Sequence, residues 1–157
     1  MQKYSLPYLI VLAVVFIGTL WDGFTTLYGS YVIFRDEPWA LQNVVSLRDL
    51  EPRAALVALI FALLLLAFLL LARPILQAEM TPVATLLKFC LALAIGYDLF
   101  TSWLGNAHFL FRQQPTENVL LLDLFLLGLT VFVSACTLLT SFLVLDSSSR
   151  LPLAAAS

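Results

Sequence analysis

Charge is what this chain has least of. Asp, Glu, Lys and Arg make up 11% of 157 residues, where a water-soluble domain carries roughly a quarter. The eight basic residues form no run and the formal net charge is −2, so nucleic acid finds no electrostatic footing here. His108 is the single histidine, which excludes a haem held by two histidines of one chain. The two cysteines, Cys90 and Cys136, sit in apolar runs without CxxC spacing. They read as small buried hydrophobes, not as a disulfide frame or a zinc site. HExxH, GxSxG and a nucleophile–base pair are all missing, so no enzyme is expected. An intramembrane aspartyl hydrolase would need two facing aspartates, which the chain can supply, but no other motif of such enzymes is present.

Apolar residues fill the space. The chain is 62% hydrophobic and its mean hydropathy is +0.99. A bilayer core takes about 20 apolar residues in a helix, and four stretches qualify. They are Leu6–Phe34 holding Asp22, Ala54–Ala72 with no charge, Pro82–Phe111 holding Lys88 and Asp98, and Val119–Leu145 holding Asp123. The expected fold is an all-α integral membrane bundle of four transmembrane helices, a single domain over 1–157. The opening "MQKYSLPYLIVLAVVFIGTL" has the shape of a signal peptide, but no small-residue cleavage site follows, so a retained helix is expected. Thr81 and Pro82 form a cap and first position for the third span. Lys88 lies near that end, where a long side chain snorkels to the headgroups. The segment 37–52 is expected to lie on the membrane surface, and 147–157 to be a disordered tail. An even number of spans puts both termini on one side. Lys and Arg divide equally between the two sides, and the cytoplasm is the side expected for the termini.

Two octets stand out. Residues 22–29 read "DGFTTLYG" and 98–105 read "DLFTSWLG". Each is followed by Phe-Arg, a proline three positions after the arginine, and then Asn-Val: "FRDEP" at 34–38 and "FRQQP" at 111–115, with Asn43-Val44 and Asn118-Val119. Apolar stretches resemble each other easily, but Asp, Arg and Pro at matching steps do not. The pattern reads as one helical hairpin occurring twice, with halves at about 1–77 and 78–157. The pseudo-twofold axis would run along the membrane normal, as in parallel-repeat proteins.

Positions i, i+3, i+4 and i+7 share a helix face. Asp22, Thr25, Thr26 and Gly29 form one such stripe, and Asp98, Thr101, Ser102 and Gly105 the other. Glycines permit close approach and hydroxyls bond across helices, so these are faces for packing against protein. Phe24 and Phe100 should point away. Asp22 is 15 residues past Pro7 and Asp98 is 16 past Pro82, which places both about 22–24 Å above their helix starts.

A charge near mid-membrane costs about 3 kcal/mol or more unless it meets protein or water. Two facing carboxyls either share a proton or hold a cation between them. The oxygen-rich stripes suit Na, K, Ca or H+ and do not suit soft metals, with Asp22 and Asp98 as ligands. Asp123, about a turn above Asp98, would add a third acid on an entry route. Two functions stay open. One is a small membrane protein that binds or transports a hard cation or protons, acting as a homo-oligomer in the bilayer. The other is a non-catalytic accessory or assembly subunit of a larger membrane complex, with the acids as packing clasps.

Overall fold

The computed structural model describes residues 6–35, 51–111 and 119–148. They form five helices, with no strand among the described residues: α1 (Leu6–Phe34), α2 (Pro52–Leu70), α3 (Ala72–Gln77), α4 (Pro82–Phe111) and α5 (Val119–Ser148). All but α3 are long and apolar enough to cross a membrane, as a multi-pass membrane protein requires. Their outward faces carry exposed leucine and phenylalanine, among them Leu64, Phe89 and Leu120. In water such a surface would be a liability. Against acyl chains it is the expected exterior.

The second span differs from expectation at both ends. It begins at Pro52, in the first turn of the helix, and stops at Leu70 instead of running to Ala72. The cause is Pro74, which lacks an N–H and whose ring collides with the carbonyl four residues back, at Leu70. The chain turns at Leu71 and restarts as the short α3. The expected cap of the third span is present: Thr81 Oγ1 accepts from the Ala84 N–H at 3.1 Å. Lys88 reaches back towards the helix start, donating to the Ala78 carbonyl at 2.9 Å. Helix α5 continues to Ser148, so the first two residues of the expected tail are helical. The remainder of the tail, and the surface segment up to residue 50, lie outside the described residues.

Helix α1 packs against α2, α4 and α5. On α2, the buried residues Ala54, Ala58, Ala62, Leu65 and Leu69 are spaced three or four apart, which is one helix face. The three alanines let Tyr31 of α1 lie directly on Ala54 and Ala58. Lower on α2, Leu65 and Leu69 join Ala72 and Ile75 around Leu91 of α4. Lipid tails are as apolar as leucine, so closeness of fit and interhelical hydrogen bonds hold such helices together. Both are concentrated where α1 meets α4 and α5.

Candidate functional site

The two octets meet at the contact between α1 and α4. Asp22 is 1% exposed and Asp98 3%, while Thr25, Thr26, Thr101 and Ser102 are all buried. Phe24 and Phe100 point outward, 46% and 44% exposed. The glycines show why the helices come so close. A Cβ on Gly29 would overlap the backbone of Thr101, and one on Gly105 would overlap the backbone of Thr25. Those two threonines turn their hydroxyls back onto their own helices, with Thr25 Oγ1 also reaching Ser102 Oγ at 3.3 Å. Thr25 donates to the carbonyls of Trp21 and Asp22, and Thr101 to those of Tyr97 and Asp98. Their side chains therefore stay clear of the partner glycine.

The other two hydroxyls link the acids. Thr26 Oγ1 lies 2.8 Å from Asp98 Oδ1. It also lies 2.9 Å from Ser102 Oγ, which in turn lies 2.7 Å from Asp22 Oδ1. The two carboxyls also approach each other within hydrogen-bonding reach. Asp22 and Asp98 thus stand at a common level, joined through one residue from each stripe.

Helix α5 completes the cluster with residues that the sequence reading passed over. Ser134 donates to Asp22 Oδ1 at 3.0 Å and Thr137 to Asp22 Oδ2 at 2.6 Å. They belong to a buried polar stripe, Thr130, Ser134, Thr137 and Ser141. The steps of four, three and four keep it on one face. That spacing is visible in the sequence, although the residues carry no charge. On one side of the acids, Trp21 Nε1 donates to Asn106 Oδ1 at 2.8 Å, and Asn106 Nδ2 donates to Thr130 at 3.3 Å. On the other side, Thr19 and Thr140 are 2.8 Å apart, and Ser141 accepts from the Arg73 N–H at 3.1 Å. The contact of Tyr97 O–H with Ser30, at 3.2 Å, repeats the Trp21–Asn106 contact with the two helices exchanged.

Asp123 is not part of this cluster. It is exposed and lies 11 residues before Ser134, about 16 Å along α5. The expected single turn between Asp123 and Asp98 is corrected to about three. Helix ends gave the expected height, whereas α4 and α5 are registered by their contacts. His108 is buried, with its ring 4.9 Å from that of Tyr28. Cys136 is buried against Gly18, but Cys90 is exposed on α4, so only one of the two thiols fits the expected buried role.

The oxygens that converge here belong to Asp22, Asp98, Thr26, Ser102, Ser134 and Thr137. This is a hard donor set, and these side chains could hold a proton or a hard cation. Among the described residues no group of three His, Cys, Asp or Glu side chains stands ready for a metal ion. No protein-family model matches the chain, and no curated protein or solved structure matches it either.

Proposed function

We propose that this chain is a small integral membrane protein that binds a hard cation, the proton foremost, at the paired acids Asp22 and Asp98, and moves it across the bilayer. One observation carries the reading. Two buried carboxyls meet at one level and four hydroxyls from three helices are aimed at them or link them. Placing acids at this depth is costly, and a bound cation or proton offsets that cost. Polar contacts continue above and below the pair, from Trp21–Asn106–Thr130 to Thr19–Thr140 and Ser141, which is the direction an ion would take. A single four-helix bundle leaves little room for a pore, so the working form is a homo-oligomer. The exchanged contacts across α1 and α4 support the duplicated hairpin and its pseudo-twofold axis. The test is flux into proteoliposomes, for protons, Na, K and Ca, with the parent chain, Asp22→Asn and Asp98→Asn. The reading expects flux in the parent that either substitution abolishes while the chain stays folded.

A second reading has its own observation. The two glycine contacts bring backbones together, and the hydroxyls tie the acids to three helices. A clasp that fixes helix packing in an accessory subunit of a larger membrane complex needs no more. Absent flux from the parent, with other subunits co-purifying, favours this reading.

A further inference from the structure

The series Asp98–Thr26–Ser102–Asp22 contains three oxygen–oxygen contacts, at 2.8, 2.9 and 2.7 Å. Each is a hydrogen-bonding distance, and each needs a proton between its oxygens. Thr26 and Ser102 supply one hydroxyl proton apiece. If both hydroxyls point at the carboxyls, nothing lies between Thr26 and Ser102. Ionised carboxylates only accept, so the missing proton has to sit on an acid. With it, the series closes in either of two senses. Asp98 donates to Thr26, Thr26 to Ser102 and Ser102 to Asp22, or every bond reverses.

We infer that the ligand of this site is a single proton, shared between Asp22 and Asp98 through a relay of two hydroxyls, Thr26 and Ser102. The inference rests on the reading of the two acids as an ion-binding pair and names the ion. Reversal of the relay breaks one O–H bond on the first acid and forms one on the second. Each hydroxyl passes on one proton and receives another, so no charge or atom is gained.

The side-chain oxygens linking the acids are at 2.7–2.9 Å, the spacing of oxygens with a proton between them.

Helix α5 gives the relay a resting sense. Within α1 and α4 the two ends are alike, since Asp98 faces Thr26 as Asp22 faces Ser102. Asp22 has both its oxygens taken by hydroxyls of α5, at 3.0 and 2.6 Å, whereas Ser134 is the α5 hydroxyl that also approaches Asp98. Hydrogen bonds to the charged form favour it, so the negative charge rests on Asp22 and the proton on Asp98. The other titratable group that feels Asp22 is Cys136 of α5. On α2 the single titratable residue is Arg53, in its first turn.

Infrared absorption of the chain in lipid, with isotope-labelled aspartate, counts protonated carboxyls directly. The relay predicts one per chain at neutral pH, unchanged by added Na or Ca. It predicts that Asp98→Asn removes that band. It also predicts that Thr26→Val keeps one band at a shifted frequency, because the acid loses its acceptor. None or two protonated carboxyls in the parent, or a band that Na or Ca removes, would overturn the relay. So would an unshifted band in folded Thr26→Val. If Asp98→Asn fails to fold, the count in the parent and the Thr26→Val shift still decide. One protonated carboxyl without any flux leaves the relay standing and removes transport. Cation flux with no protonated carboxyl does the reverse.

Discussion

Gly29 and Gly105 make the same contact in exchanged roles: each lies where its own Cβ would overlap the backbone of a threonine four residues before the other, Thr101 or Thr25. Both glycines therefore set how closely the acid-bearing helices approach. Everything between Asp22 and Asp98 depends on that approach.

Alanine at Gly29 or Gly105 should be among the most damaging small substitutions in the chain. The obstacle is backbone, which cannot rotate aside, so overpacking of about 1–3 kcal/mol is expected. Unfolding by denaturing detergent in mixed micelles measures it. Gly23, Gly96 and Gly128 meet nothing in the same test. Alanine there should leave stability unchanged or raise it by up to about 1 kcal/mol through helix propensity.

The two acids should not respond alike to asparagine. Asp22 accepts from Ser102, Ser134 and Thr137, and an amide turns one of those acceptors into a donor. A buried unsatisfied donor costs about 1–3 kcal/mol. In Asp98→Asn the new amide can instead donate to Thr26 and keep the series closed. Comparing the two unfolding free energies checks this, and Asp98→Asn should be the milder change.

Loss of a hydroxyl from α5 should cost little in stability. Interhelical bonds of this kind are worth about 0.6 kcal/mol on average, with model peptides at about 1–2. Thr137→Val keeps the shape and removes the 2.6 Å contact to Asp22. A loss near 1 kcal/mol in the same unfolding assay is expected, with helix content by circular dichroism unchanged.

Replacing Pro74 by alanine should lengthen α2. The amide at 74 then regains its N–H, and the Leu70 carbonyl regains an acceptor role. Slower amide hydrogen exchange across 70–75 is the expected readout.

The spans were legible because hydropathy and length are properties of single segments. Their ends were less so. The apolar run continues through Leu71 and Ala72, and only the reach of Pro74 onto Leu70 shows where the helix must stop. The facing stripes could be read because charge and glycine recur at helical spacing in an apolar setting. Ser134 and Thr137 recur at helical spacing too, but a hydroxyl in such a helix usually bonds its own backbone, as Thr25 and Thr101 do here. Spacing alone therefore did not single them out. Asp123 was misplaced for a related reason. Height along one helix follows from counting residues, whereas the register between two helices is set by contacts such as Asn106–Thr130.

A double-mutant cycle on Asp22→Asn and Asp98→Asn, read as unfolding free energy in micelles, tests most directly whether the two carboxyls form one site. Shared hydroxyls and direct approach predict a coupling of about 1 kcal/mol or more between the single changes. Changes that add to within about 0.3–0.5 kcal/mol would mean that the acids act independently, and the shared site would be contradicted.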